Sequence, residues 1–236
     1  MQFLMKDKPL TYSEFSSLYP EEANILTEIS SEDILFNIEE GGALKLLQDS
    51  YRPICINIDS ELERHKIQFY KSSPYKELLA KALGLKAGKE KPKVLDATGG
   101  MLGDSLLIYA IGVESLTVCE RHPIPAVLIY NALKFTQINI SFRFCSATEL
   151  EDEFDVIFYD PMYTEKNTKT NAKKEMMIFR NLIGVDLDSS EMALKLRDKA
   201  SKRLIIKRSV KGASLIPKPD ITFKGKSTAY DVYLKH

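Results

Sequence analysis

Apolar and polar positions change period along the chain. From Lys93 onward, short apolar runs alternate with longer stretches spaced at i, i+3, i+4. The runs at 94–97, 116–120, 141–145, 155–159, 203–207 and 229–234 read as strands. The stretches at 104–111, from near Pro125, at 171–183 and at 190–201 read as helices. Strand–helix alternation of this kind predicts an α/β fold, a doubly wound and mostly parallel sheet with helices on both faces.

Upstream the pattern is more mixed. A polar helical stretch over 12–29 precedes an alternating run at 33–38; Gly41-Gly42 interrupts it, and 53–58 reads as another strand. Residues 1–62 are therefore expected to form a small α+β region. A helix follows, with Ser73 as its cap, Pro74 at its first position and Gly84 at its close. Tyr75, Leu78, Leu79, Ala82 and Leu83 fall on one stripe of it. Residues 63–92 thus form a helix and a lysine-rich linker, and 93–236 the main α/β domain.

Composition narrows the class. The chain has 236 residues, of which 44% are hydrophobic and 28% charged, and no apolar run approaches a membrane span. Met1–Leu10 lack the apolar core and small-residue cleavage site of a signal peptide. A soluble, cytoplasmic protein is expected. Cys55, Cys119 and Cys145 each sit in an apolar run and read as reduced core thiols. With three scattered histidines there is no ligand spacing, and no metal site is expected.

The 33 basic and 33 acidic side chains cancel, but unevenly. Residues 1–63 hold 4 basic and 13 acidic groups, residues 64–160 hold 12 of each, and residues 161–236 hold 17 and 8. A polyanion would be drawn to the C-terminal third.

The candidate chemistry lies at two strand ends. After the first strand of the α/β domain comes Asp96-Ala-Thr98-Gly99-Gly100-Met-Leu-Gly103-Asp104. A glycine turn at the carboxyl end of such a strand lets backbone N–H groups approach a nucleotide-like ligand. The spacing is neither G-x-G-x-x-G nor a P-loop. Asp96 and Asp104 disfavour a pyrophosphate and suit a cationic nucleoside such as S-adenosyl-L-methionine. Glu120, ending the next strand, can accept from ribose hydroxyls. Asp96, Thr98, Gly100 and Gly103 are accordingly candidate cofactor contacts.

The second strand end is Val156-Ile-Phe-Tyr159-Asp160-Pro161-Met162-Tyr163. It is similar to the Asp/Asn-Pro-Pro-aromatic motif of methyltransferases acting on exocyclic amines. An aryl amine is a poor nucleophile because its lone pair is delocalised into the ring. Acceptors aimed at its N–H bonds, the Asp160 carboxylate and the Pro161 carbonyl, localise that pair, and Tyr163 can stack on the base. The expected reaction is in-line methyl transfer from sulfur to nitrogen, without metal or covalent nucleophile.

With these residues in view, the chain resembles the bacterial small-subunit (16S) ribosomal RNA guanine-N2 methyltransferases of the RsmJ type. The matching runs are VLDATGG with Asp104 downstream, CERHP, YDPMY, KKEM followed by FRNLIGVDLD, KRLIIKR and AYDVY. They cover 93–233 well and extend more loosely through INIDSELERHKIQFY and KELLAKALG. The resemblance implies a class I, Rossmann-like enzyme dependent on S-adenosyl-L-methionine, acting on small-subunit rRNA or the small ribosomal subunit. It implies cofactor contacts at Asp104, Glu120, Arg121, Ser146 and Asp160. There are departures. The family's Gly-Leu-Gly-Arg-Asp is here Gly100-Met-Leu-Gly103-Asp104, Ala147 replaces a second serine in the cofactor set, and KSSPY replaces a glycine- and arginine-rich stretch.

In that context Lys173, Lys174, Arg180, Lys207 and Arg208 are candidate RNA-phosphate contacts, which predicts salt-sensitive binding. Three other readings stay open on sequence: a nicotinamide dehydrogenase, an amino-methylating enzyme for another base, and a ribosome-binding homologue without catalysis. The first lacks the spaced glycines and leaves Asp-Pro-Met-Tyr unexplained.

Overall fold

The computed structural model describes all residues except 7, 28, 30–33, 48–51, 163–183, 185 and 236. The N-terminal region holds strands β1 (Gln2–Met5), β2 (Lys8–Leu10), β3 (Leu35–Ile38) and β4 (Leu44–Leu47), in the order β2-β1-β3-β4. Only β1 and β3 run parallel. The helical stretch expected over 12–29 is two helices, α1 (Tyr12–Leu18) and α2 (Pro20–Leu26). Thr11 and Glu14 form a capping box that starts α1. Pro20 can open a helix but disfavours helical backbone at Tyr19, which stands between the two.

The strand expected at 53–58 is a single bridge between Leu46 and Ile54. Asn57 then caps the helix α3 (Ile58–Lys71) by accepting from the Ser60 N–H at 2.9 Å. The helix expected from Pro74 is a 3₁₀ turn, Pro74–Lys76, followed by α4 (Leu78–Leu83), with extended backbone at Glu77 between them. Gly84 closes α4 at φ +78°, a value that suits glycine. Arg203 packs beside it and donates to the Ala82 carbonyl at 3.1 Å.

The main sheet contains β5 (Lys93–Asp96), β6 (Ser115–Glu120), β7 (Ser141–Phe144), β8 (Val156–Tyr159), β9 (Arg203–Ser209), β10 (Ile221–Lys224) and β11 (Thr228–Leu234). Its order is β7-β6-β5-β8-β9-β11-β10. Strands β5 to β9 are parallel, and β11 is antiparallel to both its neighbours. This is the doubly wound, mostly parallel sheet expected from the sequence, with β10 added at one edge. The order reverses at β5, whose chain continues to β6 on one side while β8 lies on the other. Ligands bind at such a switch point, outside the carboxyl ends of the strands.

Helices α5 (Gly103–Ile111), α6 (Pro123–Lys134) and α7 (Ser189–Lys199) flank this sheet. The helix expected over 171–183 lies outside the described residues. Strand alternation splits the core. Val94, Phe158 and Ile205 pack with α3, α4 and α5, whereas Leu95, Ile157 and Ile206 pack with α7. Cys119 is buried and Cys145 half-buried, but Cys55 is exposed, contrary to the core position expected for it. Among the described residues no helix is long and apolar enough to cross a membrane.

Helix α6 serves two cores. Ile129 joins the main one, while Ile124, Ala126, Val127 and Leu128 complete the core under the N-terminal sheet with Phe3, Phe15, Phe36 and Leu46. A buried polar network ties the same parts. The Asn131 Oδ1 accepts from the Leu44 N–H at 2.8 Å, and its Nδ2 donates to the fully buried Glu22 at 3.0 Å. Lys134 donates to both Glu22 oxygens at 2.9 Å. Asn131→Ala strands a buried N–H and part of a buried carboxylate, a loss of about 2–4 kcal/mol. Urea unfolding followed by far-UV dichroism should show that loss as one cooperative transition for both sheets.

Candidate active site

Four strand ends bring the site together. In β5, β6, β8 and β9, apolar residues facing both helix layers run almost to the carboxyl end, where Asp96, Glu120, Asp160 and Lys207 stand. Asp160 immediately follows β8, and its backbone N–H donates to the Thr98 hydroxyl at 2.8 Å. That bond fastens the Asp-Pro-Met turn to the glycine turn after β5. Asp96 is buried and accepts from the Ser105 hydroxyl at 2.5 Å and the Thr98 N–H at 3.0 Å. Burial pushes its carboxyl up to about 8, against these two bonds; the charges on Asp104 and Asp160 add to the rise. Asp96 is thus protonated at neutral pH.

Lys207 spans the cleft. Its ammonium donates to Asp104 Oδ2 at 2.6 Å and to Asp160 Oδ2 at 2.7 Å. All three side chains keep about a quarter of their surface exposed, so the bridge lies at the mouth of the site rather than beneath it. Desolvation pushes Asp160 up to about 6; the charge on Lys207 opposes the rise and that on Asp104 adds to it. Burial by itself would lower Lys207, but the two carboxylates outweigh it and hold its proton more tightly than usual. With Asp96 neutral, one ammonium faces two carboxylates. The cluster has room for one more positive charge.

The glycine turn is shaped by close approach. A Cβ at Gly99 would lie 2.9 Å from Ile129 and 3.2 Å from the Cys119 carbonyl, and the Gly99 N–H donates to that carbonyl at 2.7 Å. Gly100 takes φ +51° and its N–H donates to Glu120 at 2.8 Å. Leu102 is fully buried at φ +61°, at the position where the resemblance has glycine. A leucine there costs about 1–2 kcal/mol of backbone energy, which its burial among α5 and the sheet offsets. Gly103 then opens α5 with no atom within 4 Å of where a Cβ would stand.

Glu120 is buried, and the His122 N–H also donates to it at 2.8 Å. Burial raises its pKa; the backbone N–H groups pull the other way. Arg121 turns aside and forks onto Asp188 at 2.6 and 2.8 Å and onto Asp186. Asp186 accepts from the Met162 N–H at 2.8 Å and returns its own N–H to the Met162 carbonyl at 3.0 Å. Burial opposes ionisation of Asp186, but His122, Arg121 and the Met162 N–H overcome it and hold the carboxyl down at about 2. These two bonds hold Met162 and Asp186 side by side at the site. Ser146, just past β7, pairs with Thr148 at 2.9 Å, and Ala147 beside it is buried.

The structure thus gathers Asp96, Thr98, Gly100, Gly103, Asp104, Glu120 and Asp160 around the switch point, with Arg121, Ser146 and Ala147 on the β6–β7 side. Tyr163, Lys173, Lys174 and Arg180 lie outside the described residues. Lys207 and Arg208, expected as phosphate contacts, are both engaged with aspartates of the chain. Lys207 is committed to the cleft. Arg208 is buried and paired with Asp231 at 2.7 and 3.1 Å, with further bonds to the Ser209 and Gly212 carbonyls at 3.0 Å. A tethering role for Asp186 and Asp188 was not anticipated. The only signal for it was the DLD triplet at the end of the FRNLIGVDLD run.

The donor set fits S-adenosyl-L-methionine. A buried carboxylate stands where ribose hydroxyls would bind, a glycine turn has open space at Gly103, and the acidic cluster suits a sulfonium and an α-ammonium. Comparison with known proteins agrees. The family model described as "Putative SAM-dependent methyltransferase" matches residues 22–235. The chain is 34% identical over 171 residues to the Ribosomal RNA small subunit methyltransferase J of Coxiella burnetii, covering 67% of this chain and 66% of that protein. The protein of the same name from a Shewanella species is 33% identical over 172 residues, at 66% and 65% coverage. The matched part is just under two thirds of the length of these curated relatives. A crystal structure of a SAM-dependent methyltransferase from Neisseria gonorrhoeae superposes with a TM-score of 0.65 at 23% identity, covering 98% of this chain and 95% of that one. That likeness is one of fold.

The raised Asp96 carboxyl has a measurable consequence. The folded protein holds this proton up to about pH 8, while the unfolded chain releases it near 3.8. Its contribution to stability is fully present below about 3.8 and is lost as pH rises through 8. Asp96→Asn removes that dependence. Urea midpoints across pH 4–8 should fall less with pH in the variant than in the parent.

Proposed function

Because the chain belongs to the family of SAM-dependent methyltransferases, we propose that it methylates the exocyclic N2 of a guanine in small-subunit (16S) ribosomal RNA. The observation that carries this reading is Asp160 at the carboxyl end of β8. It is held by Thr98 and Lys207 beside the glycine turn and is followed by Pro161. The shared name of the curated relatives supports the RNA substrate. The residue types at the strand end support an amine as the acceptor.

Bound S-adenosyl-L-methionine supplies an electrophilic methyl group on a sulfonium and leaves as S-adenosyl-L-homocysteine. Glu120 and the turn around Gly100 would hold its nucleoside end, and Asp104 and Asp160 would offset its positive charges. Asp160 and the Pro161 carbonyl accept from the amine N–H bonds, which concentrates the lone pair on nitrogen. As the carbon–nitrogen bond forms, the nitrogen must shed a proton, and the Asp160 carboxylate receives it. Proline fixes the backbone so that the acceptors stay aimed, and Met162, bonded in both directions to Asp186, anchors the other end of the turn.

Labelled methyl transfer from S-adenosyl-L-methionine to small subunits lacking the modification, followed by nucleoside analysis, tests the proposal. Labelled N2-methylguanosine is the expected product; its absence, or label in another nucleoside, overturns the assignment. Asp160→Ala should lower the single-turnover rate at least about 100-fold with an unchanged dichroism spectrum. Since Asp160 acts ionised and its carboxyl sits at about 6, the rate should fall as pH drops through that value.

A further inference from the structure

Lys207 was expected to hold RNA phosphate and instead lies between two carboxylates of the cleft. We propose that it is a positioning residue for methyl transfer: by bridging Asp104 and Asp160 it fixes Oδ2 of each and presents Oδ1 of Asp160 to the amine. This inference rests on the methyltransferase reading above and names a part of the site that reading does not assign.

The argument begins with the strand. Lys207 ends the apolar run Leu204-Ile205-Ile206 of β9, so its stem is walled by buried residues and its ammonium emerges only at the carboxyl end. Opposite it on β11 stands the buried Tyr230. The ammonium thereby reaches Asp104 at the start of α5 and Asp160 at the end of β8, at 2.6 and 2.7 Å.

The charges around Asp160 explain the need. It is faced by Asp96 from β5, Asp104 from α5, Lys207 from β9 and Tyr230 from β11, and Tyr159 precedes it on β8. Among the described residues Lys207 is the cation in that set. Without it, desolvation and the neighbouring Asp104 both favour the protonated carboxyl, which would donate rather than accept at one oxygen. The amine would then face a weaker acceptor, and its proton would have no carboxylate to move to. A lysine serves better than a rigid fork here. Its compact ammonium can touch two carboxylates and still keep a third donor for solvent.

The test uses full-length protein labelled with ¹³Cγ-aspartate, with the Asp160 resonance assigned from Asp160→Asn and titrated by NMR without cofactor or RNA. Lys207→Gln should raise the Asp160 midpoint by about 1–3 pH units, the range for losing an adjacent opposite charge. Lys207→Arg should keep it within about half a unit, because the charge is retained. Asp104→Asn should move it downward, and this variant with Lys207→Arg decides the matter if Lys207→Gln does not fold. The acidic limb of the single-turnover rate should follow each shift, with the salt dependence of RNA binding unchanged. A midpoint that stays put in Lys207→Gln, or shifts the same way in Asp104→Asn, overturns the inference. So does an unmoved midpoint with a salt slope lower by about one, the sign of a lost phosphate contact. Wild-type protein that methylates no RNA overturns the proposed function and this inference together. An active wild type with an unmoved Lys207→Gln midpoint overturns this inference alone.

Discussion

The constraint on which the molecule depends is that its central strands are buried on both faces. A parallel strand between two helix layers must stay apolar to its last residue, because a charge in mid-strand would lie in a dry core. Polar chemistry is therefore forced to the carboxyl ends. β5 yields Asp96, β6 Glu120, β8 Asp160 and β9 Lys207, each at or just past the point where its helix layers end. The sheet sets the spacing of these groups, and side-chain flexibility has little to add. A one-residue shift of any of these strands would send its terminal group to the opposite face.

What surrounds these ends converts a set of charges into a graded one. Asp96 is held by Ser105 and buried deepest. Asp160 is tied to Lys207 at the mouth, and Asp186 is fixed by Arg121 and by the Met162 backbone. The three carboxyls, all aspartates, span about 8, about 6 and about 2. Only differences in burial and partner separate them. Environment distributes the roles: a neutral acid beneath the turn, a carboxylate near its working range, and a permanently ionised anchor.

The main sheet was legible because its strands are short apolar runs punctuated by a glycine turn and by Asp-Pro, signals that do not depend on distant partners. The N-terminal region was less so. β1, β2 and β4 are three or four residues long, and the α3 cap is a single asparagine, Asn57, behind what reads as a strand. At the site, the carboxylates could be placed from motif positions alone. The inward turn of Lys207 and Arg208 could not, because a basic pair at the end of a strand looks the same whether its partners are phosphates or Asp104, Asp160 and Asp231. Those partners lie from 23 to 103 positions away. Leu102 in a glycine conformation is of the same kind. Only the space around it reveals why a leucine is tolerated there.

The double use of α6 also imposes an order in time. Leu44 is synthesised 87 residues before Asn131, the side chain that receives its N–H. At ordinary translation rates that gap lasts about 4–17 s. Through it, the nascent N-terminal strands carry Phe3, Phe36 and Leu46 with α1 and α2 packed on them but without the α6 residues that complete their core. Until α6 is made, the part of that core filled by Ile124, Ala126, Val127 and Leu128 stays open. The first segment made thus completes its core only when the chain has reached α6.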